Sequence, residues 1–217
     1  MRVLSSYSEL TLLASLNGVG VEEYFRSLTY NDMFLNVFRA TPGPTMLLCV
    51  LRPDGTFEFF KPDGTPAEVP ETIGHMGGYL VNLAMWEMGC RCVTIPCGVT
   101  RIGYDSFSGC SALTGVVIPD SVTEIGKFAF SGCYSLLDVP IPDSVKTIGE
   151  SAFYACQSLT NVTIPDSVTS IGAFAFCRCS DLARVSIPAS VTYIGEGAFA
   201  ECNYIKVTTR EKPSAPV

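Results

Sequence analysis

The chain has one histidine, His75, set in the glycine-rich run Gly74-His-Met-Gly77-Gly78. A Ser/His/Asp or Cys/His catalyst would have to be built on it, with a nucleophile and an orienting acid brought within reach. The run itself supplies neither, so an enzyme centred on His75 is the weakest of three functional readings. The same glycines lack the Lys and Ser/Thr that a phosphate loop places after them. Cys90-x-Cys92, followed by Cys97, and Cys177-x-Cys179 offer thiolates. Structural zinc takes four ligands from matched pairs two to four residues apart, and these do not match. Asp120, Asp143 and Asp166 recur after Ile-Pro pairs, but the column is broken by Cys97 and Ala189. Calcium needs six to eight oxygens, and they are not visible. Asp and Ser bonding their own backbone in turns accounts for the column without a ligand. No catalytic residue, metal or cofactor is therefore expected.

The cysteines and aspartates belong to something larger. Ile95-Pro96, Ile118-Pro119, Ile141-Pro142, Ile164-Pro165 and Ile187-Pro188 follow one another at steps of 23 residues. Ile102, Ile125, Ile148, Ile171 and Ile194 keep that step, each followed by Gly. So do Phe107, Phe130, Phe153, Phe176 and Phe199, and Cys110, Cys133, Cys156, Cys179 and Cys202. A fixed period of this size marks a solenoid, whose small unit cannot bury its apolar face except against copies of itself.

Each unit has two halves. In Leu159-Thr-Asn-Val162-Thr-Ile164 apolar and polar residues alternate, the period of a half-buried strand. Proline then ends the strand, because it has no N–H to continue a ladder. Strands of successive units should form a parallel sheet. The return half, such as Ser167-Val-Thr-Ser-Ile171-Gly172, carries turn signals at both ends, with Gly172 allowing a conformation that a side chain would hinder. The segment after it is short enough for a single helical or 3₁₀ turn. Val, Ile, Phe, Cys and Leu should each stack on their own kind, and the Phe column should hold the most apolar area.

The pattern L-x-x-V-x-I-P-x-x-V-T-x-I-G-x-x-A-F-x-x-C, over about residues 90–207, resembles the BspA-type (Treponema-type) leucine-rich repeat family. The resemblance implies a curved solenoid with its sheet on the concave face, and a protein-interaction or adhesion role. Many members are surface proteins of bacteria and protists; others are intracellular. The fold class expected is α+β: a leucine-rich-repeat solenoid with a parallel β-sheet, preceded by a helical and β-hairpin N-terminal module.

Composition narrows the partners. Hydrophobic residues are 47% and charged residues 16%, so a packed core is affordable and long disorder is not expected. The net charge of -7 is spread along the chain with no basic patch, which argues against nucleic acid and anionic membrane surfaces. No apolar run reaches a bilayer span. The N-terminus lacks the continuous apolar core of a signal peptide. Of ten Cys, five form the repeat column and are expected to be reduced and buried, which points to an intracellular setting.

In chain order, 1–68 reads as a helical plus β-hairpin module. Ser6-x-x-Glu9 fits a capping box, and Val21–Leu28 and Asn31–Phe38 carry apolar residues at helical spacing. These helices should cap the first open edge of the solenoid. Met46–Leu51 and Thr56–Lys61 flank Asp54-Gly55, a hairpin signal. Residues 69–92 read as a degenerate repeat with an insertion, carrying a helix at Tyr79–Met88, and 93–207 as five repeats. At the far end Ile205 opens another strand, with Thr208 where Val is expected. The tail, 208–217, is polar, and Lys212–Val217 together with the N-terminal module are expected to be held by a neighbouring chain.

The best binding candidates are outward strand positions, which vary while the core columns do not. Cys92, Gly115, Asp138, Asn161 and Arg184 form one column, and Thr94, Val117, Pro140, Thr163 and Ser186 the next. Solenoids use such a face as an extended binding surface. On the return side Phe128, Phe174, Tyr134, Tyr154, Tyr193 and Tyr204 either bind a partner or pack between units. The leading reading is a non-catalytic interaction or scaffolding module, a structural subunit bound to other protein chains in a larger complex. The alternative is a secreted or cell-surface adhesin.

Overall fold

The computed structural model describes residues 18, 37–39, 48–51, 54–60, 66–74, 90–203 and 206–210. Units are counted by their Ile-Pro pair, so the third holds Ile141-Pro142. Alternation makes the strand half of each unit extended: β5 (Cys92–Thr94), β7 (Gly115–Val117), β10 (Asn161–Thr163), β12 (Arg184–Pro188) and β14 (Lys206–Arg210). They pair in parallel, β5 with β7 and β10 with β12 with β14. Val93, Val116, Val139, Val162 and Val185 point inward and are buried.

The return half is also a sheet. β4 (Thr72–Ile73), β6 (Arg101–Ile102), β8 (Glu124–Ile125), β9 (Thr147–Ile148), β11 (Ser170–Ile171) and β13 (Tyr193–Ile194) form a six-stranded parallel ladder. Its register is one unit per strand, Ile102↔Ile125 and Ile125↔Ile148 among the pairs. The segment that follows is not a helical turn but a series of tight turns. In the second unit Ala129 N–H donates to Gly126 O at 3.3 Å and Cys133 N–H to Phe130 O at 3.2 Å. Phe128 and Gly132, third in those turns, have φ of 57° and 71°, the left-handed setting of a type II turn. The left-handed residues stop a helix from propagating. Phe128, Phe130 and Gly132 instead donate to Glu150, Ala152 and Tyr154 O of the next unit, at 2.7–3.0 Å. Successive units are thus laddered along three lines.

Between them lies the core. Phe107, Phe130, Phe153, Phe176 and Phe199 stack face over face, with centroids 5.1–5.4 Å apart and planes within 10°. That is the offset stacking aromatic rings favour. The glycine after each return-strand Ile serves this close approach rather than an unusual conformation. A Cβ on Gly172 would lie 2.4 Å from Glu150 N, and one on Gly149 2.6 Å from Gly126 C.

The N-terminal side closes one end. β2 (Leu48–Leu51) and β3 (Phe57–Phe60) form the expected hairpin, and β1 (Val37–Arg39) adds antiparallel to β2. Val37 and Phe38 are therefore strand, not the end of a helix over Asn31–Phe38. No helix occurs among the described residues. The other helical segments expected in 1–40 and at Tyr79–Met88 lie outside them. The hairpin tip docks on the first unit: Thr94 N–H donates to Gly55 O at 2.8 Å, and Phe57 meets Phe107 at 6.3 Å. β4 pairs with β6 with Ile73 opposite Ile102, 29 residues apart instead of 23, so the degenerate unit carries its insertion between them. At the other end Val207 stands opposite Val185, a spacing of 22. One residue is missing there, which is why Val is found at 207 and not at 208.

Two substitutions test this packing. Phe153→Ala, in the middle of the ring stack, should cost about 3–5 kcal/mol of unfolding free energy. Gly149→Ala forces a methyl into a neighbouring backbone and should cost about 1–3 kcal/mol. Denaturant titration monitored by far-UV circular dichroism measures both.

Candidate functional site

The groups with chemistry are distributed as follows. His75 and the tail 211–217 lie outside the described residues. The nine described cysteines are all free. Among the described residues no three His, Cys, Asp or Glu come together in a way that could hold a metal ion. Cys90 is buried and its thiol donates to Cys92 O at 3.0 Å, while Cys92 and Cys97 are exposed.

The repeat-column thiols are wired into the stack. Cys133, Cys156, Cys179 and Cys202 each donate to the carbonyl of the preceding unit's phenylalanine, at 3.1–3.2 Å. Burial pushes the thiols of Cys110, Cys133, Cys156 and Cys179 far above the ordinary range. The neutral form is the hydrogen-bond donor, and the thiolate, which is the nucleophile, is suppressed. These are structural groups. They are shielded by position, so their reduced state carries no information about compartment.

The serines after Ile-Pro-Asp are also wired across units. Ser121, Ser144 and Ser167 donate to Val99, Val122 and Val145 O at 2.6–2.8 Å. The self-bonded Asp-Ser turn expected from sequence is thus corrected: Ser bonds to the unit before. Asp120, Asp143 and Asp166 are exposed and take no partner among the described residues.

The outward strand positions lie on two parallel ladders, β5-β7 and β10-β12-β14. Asn161 and Arg184 are register partners, as are Thr163 and Ser186, and Gly115 bridges to Asp138. Val117, Asp138, Asn161, Thr163 and Arg184 are exposed and Ser186 is half-buried. The return-side aromatics lie elsewhere, and Phe128, Phe174 and Tyr154 make contacts across units. Tyr104 packs edge-on against Phe128 at 5.9 Å, with Lys127 Nζ 5.1 Å from the same ring. The Phe174 ring lies over Gly197, and Arg178 lies 5.7 Å from the Tyr154 ring. Tyr134 and Tyr193 are exposed, Tyr193 on β13; Tyr204 lies outside the described residues.

The strand face is interrupted at one place. The first half of the third unit has no strand, only the bridge from Asp138 to Gly115, because Pro140 brings no N–H to the ladder. Ile141 is only partly buried, while its counterparts Ile95, Ile118, Ile164 and Ile187 are buried. A cleft of about 560 Å³ opens beside it, lined by Ile141, Asp143, Thr163, Ile164, Pro165, Asp166 and Ser167. Sequence reasoning placed Thr163 on the face but did not single out this cleft. Its signal was Pro140, standing where other units have Thr, Val or Ser.

A profile of the BspA type leucine rich repeat region matches residues 87–210 in six copies, more than half of the chain. The chain belongs to this family. Among solved structures it is similar to a leucine rich repeat protein of Treponema pallidum, at 29% identity and a TM-score of 0.57, covering 78% of this chain and 71% of that one. A leucine rich cell surface protein of Faecalibacterium prausnitzii A2-165 gives 29% identity and a TM-score of 0.55, over 79% of this chain and 40% of the other. The pneumococcal vaccine antigen PcpA gives 28% identity and a TM-score of 0.52, over 56% of this chain and 31% of the other. No curated protein matches. Repeats of this family act as interaction or surface-type modules. No helix among the described residues is long and apolar enough to cross a membrane.

The raised thiols give a pH prediction. A folded pKa above the unfolded value means that stability is fully present below the unfolded pKa, near 8.5, and is lost as pH rises above it. Each of Cys110, Cys133, Cys156 and Cys179 should contribute a fall of about 1.4 kcal/mol per pH unit there. Urea midpoints between pH 7 and 10 should drop steeply, and Cys133→Ala should flatten the slope by one thiol's share.

Proposed function

We propose that the chain is a non-catalytic module that offers its outward strand face to other protein chains, as a structural subunit of a larger assembly. The observation that carries this reading is the contrast between columns. Inside, every unit repeats Phe, Cys, Ile and Val; outside, Asp138, Asn161 and Arg184 differ from unit to unit. Core repetition builds a stack, whereas outward variation gives the stack something specific to recognise. The structural candidates are Val117, Asp138, Asn161, Thr163, Arg184 and Ser186. Phe128 contacts the neighbouring unit, and Phe174 and Tyr193 offer exposed aromatic area on the return side.

A second reading, display at a cell surface, is supported by the similarity to the Faecalibacterium cell surface protein. An intracellular setting drew its support from reduced thiols, and buried thiols persist on either side of a membrane. Labelling of intact source cells with an impermeant biotin reagent separates the two locations.

The interaction reading is tested by capturing partners on the immobilised chain. A strand-face variant carrying Asn161→Arg and Arg184→Glu should lose a partner that the wild type holds. Tyr193→Ala should keep it. Retention by the strand-face variant, with the same thermal stability, would remove the strand face from the reading.

A further inference from the structure

The cleft beside Ile141 is chemically different from the rest of the strand face. Its accessible apolar surface comes from half-buried Ile141; Ile164 and Pro165 line it but are themselves buried, and most of the lining is polar. Its rim carries Asp143 and Asp166 from successive units, both exposed and neither paired with a cation among the described residues. The Thr163 hydroxyl on the same rim has no partner among the described residues. Ser167, the remaining lining group, is already committed to Val145 O at 2.6 Å. Asp138 adds a third exposed carboxylate on the strand face of the same unit.

Three charge pairs bridge units, Arg101 with Glu124 and Lys127 with Glu150, both at 2.8 Å, and Arg178 with Glu201 at 2.9 Å, and the cleft carboxylates belong to none of them. The turn that Asp143 and Asp166 occupy is held by the neighbouring serine, so their charge does no structural work there. Lys146 and Arg184 are the nearest cations by position, and neither forms an ion pair with them. Beside the cleft the face is apolar: Val117, 54% exposed, adjoins Pro140 in the same outward column.

From this we infer that the cleft receives the side chain of a lysine or arginine carried on an extended segment of a partner protein. The inference rests on the strand face being the interaction surface. A long aliphatic stem packs on the exposed part of Ile141, and its cationic head reaches the carboxylates and the Thr163 oxygen, as such side chains bury stems while charging their tips. An apolar residue two positions away on the same extended segment points to the same side and falls on Val117 and Pro140. Arg184 lies toward the fifth unit and repels a second cation, which sets the direction of the segment. The acidic net charge of -7 favours approach of a basic partner as well.

The test uses two labelled peptides of alternating threonine and valine, one with a central lysine and one with a central glutamate. Fluorescence anisotropy is measured with the full chain at low and at moderate salt. The lysine peptide should bind about tenfold more tightly, and added salt should narrow that gap. Asp143→Asn with Asp166→Asn should abolish the preference, and Ile141→Asp should weaken both peptides. Asp120→Asn, outside the cleft, should change nothing, which controls for overall charge. Equal binding of the two peptides, an undiminished preference in the double variant, or displacement of the lysine peptide by millimolar calcium would each overturn the proposal. If cleft variants bind a captured partner normally while the Asn161→Arg, Arg184→Glu variant does not, the cleft proposal falls and the strand-face reading stands.

Discussion

At every turn of this coil one backbone lies against the next with no room for a methyl group between them. A Cβ on Gly126 would sit 2.7 Å from Ile102 O, and one on Gly195 2.2 Å from Ala173 N. That spacing, fixed by hydrogen-bonded ladders on three sides, dictates the other columns. It holds planar rings at a separation where they stack, and it puts each thiol within reach of the carbonyl one unit back. It also puts Ser121, Ser144 and Ser167 against the preceding valine's oxygen. The repeated residues are repeated because each must fit a copy of itself one strand spacing away.

The lines of contact differ in strength of purpose. The ring stack contributes the largest apolar burial, the thiols add a second donor to phenylalanine carbonyls that already accept a backbone N–H, and the serine hydroxyls satisfy valine carbonyls of the preceding unit. The exposed charge pairs across units add little, since both partners remain in water. Direction is built in as well. Cys133, Cys156 and Cys179 all reach backward to an earlier phenylalanine, and the return-turn amides reach forward.

Much of this could be read from spacing alone, because a core that stacks on itself writes its period directly into the chain. The ring, thiol and strand columns were all visible that way, as was the hairpin at Asp54-Gly55. The return sheet was not visible: strands of two residues show no alternation, and their identity depends on pairing with the next unit. The glycine column was visible as a column, but its cause is a distance between units, which no single unit reveals. Val37 and Phe38 fit helical spacing and still became strand, since pairing with Val50 and Cys49 overrides local preference. The register at Val207 shows the same limit, because a missing residue only makes sense once its partner Val185 is known. On the outward face the varying columns were evident, whereas the cleft required knowing that Pro140 would let Ile141 slip out of its buried row.

The sameness of the inner contacts has an evolutionary corollary. A tandem duplication that adds one whole 23-residue unit introduces no contact the protein does not already make, so lengthening the array is close to neutral for folding. Loss or gain of a single codon is another matter. Within the array it would misplace the contacts of the unit that carries it, and the single-residue shortening between Cys202 and Val207 falls after the last ring and thiol. Length can therefore drift by whole units among descendants while the outward residues diverge, and a new binding surface can arise without any revision of what lies beneath it.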